Sequence, residues 1–193
     1  MSNTHQNHVN SALFEAKKSP LTVHEKWMLR ALEEGKKGRG LTSPNPAVGA
    51  VIVKGEIELG SGWHRKVGQP HAEREAIADV MRKHGADALN GATIYVTLEP
   101  CSTQGRTGAC TDGILENGIK TVVYGAVDPH PDHAGAADSL LRESGVEVIS
   151  GVLSEACESL LRPFAKRVTT GLPWVVAKTA MSLDGRITRP PSE

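Results

Sequence analysis

The sequence contains few cysteines, few aromatic residues and no long apolar run. It has 3 Cys and 4% aromatic residues among its 193 residues. Three cysteines do not suggest a disulfide scaffold, and no apolar stretch approaches the length of a membrane span. Residues 1–20 are polar and lack the apolar centre of a signal peptide. We therefore expect a flexible N-terminal tail on a cytoplasmic protein without a membrane partner, in which thiols stay reduced and available to a metal.

An excess of positive charge is also missing. Lys and Arg together number 22, as do Asp and Glu. No global positive field would therefore draw the protein to a polyanion, which argues against a general nucleic-acid partner. The length suits one medium domain with a full core and a short appended piece.

Helical and strand patterns alternate along the chain, which predicts α/β layers. A helix is expected from Thr22 or Val23 to about Gly35, where glycines can end it. The remaining predicted elements are a strand over Ala47–Val53, a strand over Ile57–His64, a helix from about His71 to Lys83, a strand over Ala92–Leu98, a helix over Ala109–Glu116, a strand over Thr121–Val127, a helix over Ala136–Glu143, a strand over Val146–Ile149 and a helix over Ser154–Thr169.

One set of residues indicates a metal centre. His71, Cys101 and Cys110 supply one imidazole and two thiols, and Glu73 adds a nearby carboxylate. Three protein ligands are typical of a catalytic zinc, whose fourth position stays open for water with a pKa lowered to about 7. The order resembles the His-x-Glu and Pro-Cys-x-x-Cys signature of zinc nucleobase deaminases. Eight residues separate the two thiols here, however, instead of two.

The predicted elements place this set at one edge of the sheet. His71 and Glu73 start a helix, and Cys101 follows a strand, where α/β folds bind ligands. Residues two apart on a helix diverge by roughly 200 degrees. We therefore expect His71 to bind zinc and Glu73 to lean over the open position. A purely structural zinc is the alternative, and it would need a fourth protein ligand, for which His64 is the obvious candidate. Cys157 is expected to be a small buried apolar residue.

Longer stretches of the sequence carry a family resemblance, from about Val23 to the C-terminus. They are residues 43–51, 62–64, 71–73, 95–102, 105–107, 128–129 and 170–173, with the long spacing between Cys101 and Cys110. The chain resembles the pyrimidine deaminases of riboflavin biosynthesis, the RibD family. The resemblance implies a three-layer α/β/α cytidine deaminase-like fold with a mixed central sheet.

The resemblance also implies a reaction and its residues. The expected substrate is 2,5-diamino-6-(5-phosphoribosylamino)pyrimidin-4-one, a cyclic amidine whose C2 amino group is hydrolysed to oxygen with release of ammonia. One Zn²⁺ per chain is the implied cofactor, and Glu73 would transfer the protons. The residues implied in substrate binding are Asn45, His64, the backbone at Ala72 and Cys101, Arg106 as a phosphate ligand, and Asp128.

Two positions depart from the family pattern. Thr103 stands where the family usually has His, and His130 stands where it usually has Asn. Both segments are expected to border the substrate, so contacts to its ribose and phosphate are where we expect differences.

The C-terminal residues indicate a domain boundary. We assign the deaminase domain to residues 21–170, and residues 171–193 to a linker followed by a truncated start of a reductase-like segment. Residues 173–186 resemble the opening strand and turn of an NADPH-dependent reductase. Some twenty residues cannot build such a domain, so we expect no NADPH turnover from this chain alone. A reductase domain or partner and a homo-oligomer are further expectations.

Two kinds of alternative function stay open. Cytosine, guanine and tRNA adenosine deaminases use the same metal centre but usually carry the short thiol spacing. A zinc-stabilised module without catalysis would have no use for Glu73 beside the metal.

Overall fold

A mixed five-stranded sheet lies between two layers of helices. The computed structural model describes residues 20–103, 108–130 and 134–187. The elements in chain order are helix α1 (Val23–Lys36), strand β1 (Gly49–Lys54), strand β2 (Ile57–Trp63), helix α2 (Ala72–His84), a 3₁₀ helix (Ala86–Leu89), strand β3 (Thr93–Leu98), helix α3 (Cys110–Glu116), strand β4 (Thr121–Ala126), helix α4 (Ala136–Glu143), strand β5 (Glu147–Ser150) and helix α5 (Ser154–Thr170).

The strand order decides where the chain can form a site. The order is β2-β1-β3-β4-β5, with β1 antiparallel to both of its neighbours and β3, β4 and β5 parallel to one another. Leu98 and Ala126 pair at the carboxyl ends of β3 and β4. The chain therefore leaves both strands at the same edge of the sheet, where loops of α/β folds form sites.

The helices cover both faces of the sheet. Helices α1 and α5 pack against each other and contact β1 and β4, respectively. Helix α2 packs on β1 and β2, and α3 lies between α2 and α4. This arrangement confirms the expected three-layer α/β/α fold with a mixed sheet.

The predicted helix start at Thr22 is confirmed by a capping box. The Thr22 hydroxyl accepts a hydrogen bond from the Glu25 N–H at 3.2 Å, and the Glu25 carboxylate accepts from the Thr22 N–H at 2.8 Å. These two bonds satisfy N–H groups that a helix terminus leaves without intrahelical partners.

Three details differ from the sequence-based predictions. Strand β1 starts at Gly49 instead of Ala47, and the 3₁₀ helix was not predicted. The strand expected after Pro173 does not form within the described residues, since 172–187 joins no sheet. Its apolar side chains, such as Val175 and Val176, are 77% exposed. The predicted flexible tail lies outside the described residues, apart from Pro20.

The sequence predicted no segment that spans a membrane. In the described part of the chain, every helix is too short or too polar to cross a bilayer.

Cys157 is buried, as predicted. Its side chain is fully inaccessible on α5, and a Cβ atom added at Gly125 of β4 would lie 2.1 Å from its Sγ. Burial raises the pKa of this thiol to about 12. Cys157 therefore packs as a neutral apolar residue between the helix and the sheet.

Helix α1 approaches β1 without an intervening side chain. A Cβ atom added at Gly49 would lie 2.1 Å from the Ala31 carbonyl oxygen and 2.2 Å from the Gly35 backbone nitrogen. A Cβ atom added at Gly35 would lie 3.0 Å from the Gly49 nitrogen. Only glycine at these positions allows the two backbones to come this close.

We predict that Gly49→Ala lowers the free energy of unfolding by about 3 kcal/mol, because the added methyl group meets backbone atoms that cannot rotate away. Urea denaturation monitored by circular dichroism measures the change. Gly55→Asn is the control: Gly55 has φ 62° and open space around its Cα, and Asn tolerates this conformation. Equal unfolding midpoints for Gly49→Ala and the unmodified protein would contradict the close approach.

Candidate metal centre and active site

Three elements bring the predicted ligands together. His71 is the N-cap residue of α2, Cys101 lies three residues beyond the end of β3, and Cys110 is the first residue of α3. Both helices therefore begin at the sheet edge where β3 ends. Helix N-termini carry partial positive charge and free N–H groups, which stabilise a thiolate.

The ligand atoms have the spacing of a zinc site. His71 Nδ1 lies 3.5 Å from Cys101 Sγ and 3.3 Å from Cys110 Sγ, and all three atoms lie within 4.8 Å of one another. Tetrahedral zinc with ordinary bond lengths separates its N and S ligands by about 3.6 Å. One imidazole and two thiols are also the ligand types that zinc prefers. The residues therefore fit a zinc ion.

The two thiols of the site share one proton. The hydrogen bond from the Cys110 thiol lowers the pKa of Cys101 to about 4. The same bond raises the pKa of Cys110 well above its ordinary value. The Cys110 N–H also donates to Cys101 Sγ at 3.3 Å. Cys101 is therefore a thiolate, the form that binds metals, before any metal arrives.

His64 does not join the ligand cluster. Among the described residues, the group able to hold a metal consists of His71, Cys101 and Cys110. His64 Nδ1 lies 3.0 Å from the Pro70 carbonyl oxygen, and its Nε2 lies 3.1 Å from Asn45 Nδ2. Both ring nitrogens are thus occupied, which removes the candidate fourth ligand of a structural zinc.

Glu73 is buried beside the ligand cluster. It is 4% exposed, and burial is the main cause that raises the pKa of its carboxyl group. It also interacts with the Cys110 thiol. A carboxyl group with a raised pKa is a stronger base than an exposed one, which suits it to general acid–base catalysis.

One cavity joins most of the predicted site residues. It has a volume of about 270 Å³. Its lining residues are Asn45, Pro46, Val48, His64, His71, Glu73, Leu98, Glu99, Cys101, Thr103, Asp128 and Phe164. Ala72 is fully buried and does not line this cavity, and neither does Cys110. Arg106 lies outside the described residues.

The pair of Asn45 and His64 presents a hydrogen-bond acceptor to this cavity. Burial lowers the pKa of His64, so its ring is neutral at pH 7. Nδ1 must donate to the Pro70 carbonyl oxygen, and Nε2 therefore accepts from the Asn45 amide nitrogen. This orientation leaves Asn45 Oδ1 to accept from an N–H or O–H group of a bound molecule.

Glu99 organises one wall of the cavity, a role that sequence reasoning did not assign to it. Its carboxylate is buried and accepts hydrogen bonds from the N–H groups of Asp128, Gly135 and Ala137 at 3.3, 3.0 and 3.1 Å. Its place between a strand and Pro100-Cys101 was visible in the sequence. Its three partners lie 29 to 38 residues away, however, and no local pattern reveals them.

One of the two positions that depart from the family pattern lines the cavity, and the other does not. Thr103 lines the cavity, whereas His130 is not among its lining residues. The His130 N–H donates to Asp128 Oδ1 at 2.8 Å. This bond lies within one loop and helps to orient the Asp128 carboxylate.

Residues 21–126 match the protein family described as the cytidine and deoxycytidylate deaminase zinc-binding region. This match covers more than half of the chain and includes His71, Glu73, Cys101 and Cys110.

Curated relatives of the chain are named riboflavin biosynthesis proteins. Riboflavin biosynthesis protein RibD of Actinobacillus pleuropneumoniae is 46% identical over 161 residues, which are 83% of this chain and 42% of that protein. A solved Thermotoga maritima structure, a diaminohydroxyphosphoribosylaminopyrimidine deaminase/5-amino-6-(5-phosphoribosylamino)uracil reductase, is 49% identical with a TM-score of 0.78. The match covers 85% of this chain and 46% of that one. The chain thus spans less than half the length of these relatives.

We predict that iodoacetamide at pH 6 modifies Cys101 selectively in zinc-free protein. Its pKa of about 4 makes it a thiolate at this pH, whereas the pKa values of Cys110 and Cys157 are raised. Mass spectrometry of the digested protein identifies the modified residue, and added zinc should protect it. Equal modification of Cys101 and Cys110 at pH 6 would contradict the shared proton.

We predict that Glu99→Gln lowers the free energy of unfolding by about 1–3 kcal/mol, because its amide N–H₂ would face buried N–H donors. Thermal and urea unfolding measure the loss. Glu116→Gln is the matched control, since this side chain is 68% exposed and should change stability by less than about 0.5 kcal/mol. If the two variants proved equally stable, Glu99 would not organise the cavity wall.

Proposed function

Since the chain belongs to the cytidine and deoxycytidylate deaminase zinc-binding family, we propose that it catalyses the deaminase step of riboflavin biosynthesis. The proposed substrate is 2,5-diamino-6-(5-phosphoribosylamino)pyrimidin-4-one. Water replaces the C2 amino group, so that one C–N bond breaks, one C–O bond forms and ammonia leaves. The reaction is placed in the cytoplasm, where free cysteines such as Cys101 stay reduced.

The observation that carries this proposal is the position of Glu73. A buried carboxyl group beside a three-residue zinc site, in a cavity with room for a small ring, has the placement of a proton-transfer group. A structural zinc site would gain nothing from it, because a charge buried without a partner is costly.

His71, Cys101 and Cys110 would hold the zinc ion, which supplies acidified water with a pKa of about 7 when it is bound. Glu73 Oε accepts a proton from the water and delivers it to the ring nitrogen beside C2. It then carries the remaining proton of the former water molecule to the amino nitrogen, which leaves as ammonia. Burial suits Glu73 to this exchange, since it raises the pKa of the carboxyl group above its ordinary value and makes it a stronger base.

The remaining cavity residues orient the ring. Asn45 Oδ1 accepts a hydrogen bond from the substrate, and neutral His64 holds the Asn45 amide in that orientation. Asp128 offers a second acceptor in the same cavity, and the buried Glu99 carboxylate holds the backbone N–H of Asp128. Two acceptors suit a diaminopyrimidine, which is rich in N–H donors.

The relatives support the choice of substrate. The named activities of the Thermotoga maritima protein include this deaminase and a reductase, and the matched part of that protein is 46% of its length. We assign the deaminase half to this chain and leave reduction to a reductase domain or a separate protein.

An ammonia-release assay on the proposed substrate tests the function. We expect deamination of the phosphoribosylated pyrimidine and none of cytidine or guanine. Turnover of cytidine or guanine in preference to the pyrimidine would assign the chain to another branch of the family.

We predict that Glu73→Gln lowers kcat by about 10²–10⁴-fold, the usual contribution of a general acid–base group. Bound zinc should stay at the unmodified level, because Glu73 does not belong to the ligand cluster. Ammonia release and metal analysis measure the two quantities on the same sample. Glu75→Gln, on the same helix in a partly exposed ion pair with Arg65, is the control. Full activity in Glu73→Gln protein that retains zinc would refute the mechanism.

A further inference from the structure

One polar side chain near the active site is buried although it lies in a turn. Residues 42–45 form this turn between α1 and β1, and the Thr42 carbonyl oxygen accepts a hydrogen bond from the Asn45 N–H at 2.8 Å. Thr42 is 3% exposed, whereas Ser43 and Pro44 are exposed. Burying a hydroxyl group is costly unless it forms a hydrogen bond, so the Thr42 hydroxyl must have a partner inside the protein.

The partner of this hydroxyl is Asn45, the residue proposed to orient the pyrimidine ring. Thr42 Oγ1 donates to the Asn45 carbonyl oxygen at 3.0 Å. Together with the bond across the turn, this contact binds both main-chain polar groups of Asn45 to Thr42. The two bonds fix the Asn45 backbone, and they therefore also fix the direction in which its side chain leaves the chain.

The methyl group of Thr42 packs close to the backbone of His64. A Cβ atom added at Gly38 would lie 3.2 Å from Thr42 Cγ2 and 3.0 Å from the His64 carbonyl oxygen. Both groups therefore lie against the same glycine in the turn after α1. Thr42 thus supports both members of the Asn45–His64 pair, one through its hydroxyl and the other through its methyl group.

His64 alone does not fix the position of the Asn45 amide. Its Nε2 lies 3.1 Å from Asn45 Nδ2 and orients the amide group, but where Oδ1 lies also depends on the backbone that carries the side chain. Arg167 donates to the Pro44 carbonyl oxygen at 3.3 Å, but Arg167 is exposed, and water competes for such a bond. The buried contacts of Thr42 are therefore the main restraint on the Asn45 backbone.

We propose that Thr42 is a positioning residue, which holds Asn45 with its Oδ1 aimed into the catalytic cavity before the substrate binds. The inference rests on the proposed function and adds a residue that acts through Asn45, since Thr42 is not among the described residues that line this cavity. A side chain that is already ordered loses less conformational freedom on binding than a mobile one. The Thr42 hydroxyl should therefore contribute to substrate affinity.

Two substitutions separate the hydroxyl from the methyl group. Thr42→Val keeps the methyl group but removes the hydroxyl, and it should raise KM by about two- to tenfold, the usual contribution of one hydrogen bond. The kcat value and the bound zinc should stay unchanged, because the Glu73 carboxylate and the metal ligands are not touched. Thr42→Ser keeps the hydroxyl and should retain the KM of the unmodified protein. Steady-state ammonia release and metal analysis measure these quantities.

Thr121→Val is the matched control. The Thr121 hydroxyl donates to Glu147 at 3.1 Å, and Thr121 is the first residue of β4, at the end of the sheet opposite the site. This variant should leave KM unchanged. An equal increase in KM for Thr42→Val and Thr121→Val would show a general loss of structure and overturn the positioning role.

A double-mutant cycle tests whether Thr42 acts through Asn45. If it does, Thr42→Val should raise KM in the unmodified protein and cause no further increase in the Asn45→Ala protein, because the side chain that it positions is gone. Urea denaturation of the same four proteins measures any structural effect separately. Independent, multiplicative increases in KM from the two substitutions would overturn the proposal.

Binding measured without turnover separates this inference from the proposed function. Calorimetric titration of Glu73→Gln protein with the pyrimidine should show about two- to tenfold weaker binding when Thr42→Val is added, and unchanged binding with Thr42→Ser. Such hydroxyl-dependent binding, without deamination by the unmodified protein, would support the positioning role and refute the proposed reaction. Deamination by the unmodified protein with an equal KM for Thr42→Val would overturn the positioning role alone. Absence of both binding and deamination would refute both.

Discussion

The parallel pairing of β3 with β4 is the constraint on which the site depends. Because the two strands end together at Leu98 and Ala126, the chain segments that carry Cys101 and Asp128 leave the sheet side by side. Helices α2 and α3 begin at the same edge and bring His71 and Cys110 to it. The Glu99 carboxylate then ties the two segments together through backbone N–H groups.

The electrostatics of the site follow from this convergence. Two helix N-termini and a shared proton stabilise the Cys101 thiolate, while burial favours the protonated form of Glu73. Negative charge is thus concentrated on the metal ligands, beside a carboxyl group that burial makes a stronger proton acceptor.

The sequence predicted most of the fold and the metal ligands because both depend on local patterns. The elements from Val23 to Thr170 appear within about two residues of their predicted bounds, since the periodicity of apolar residues decides them. The role of Glu99 escaped prediction because it depends on contacts between distant segments. The N–H groups of Gly135 and Ala137 that donate to its carboxylate, for example, lie 36 and 38 residues away in the sequence. The prediction of a strand after Pro173 was wrong for a related reason. An extended segment becomes a β-strand only when it pairs with a neighbouring strand that has a free edge.

The glycine contact between α1 and β1 has a mechanical consequence for Asn45. Packed side chains can accommodate a small displacement by changing rotamer, but two backbones in direct contact cannot adjust in this way. The end of α1 therefore moves with the central sheet as one stiff body, and the loop that carries Asn45 is anchored to this body at both ends. The main chain thus limits how far the Asn45 amide can move relative to the zinc ligands, and the bond to His64 sets the orientation of the amide.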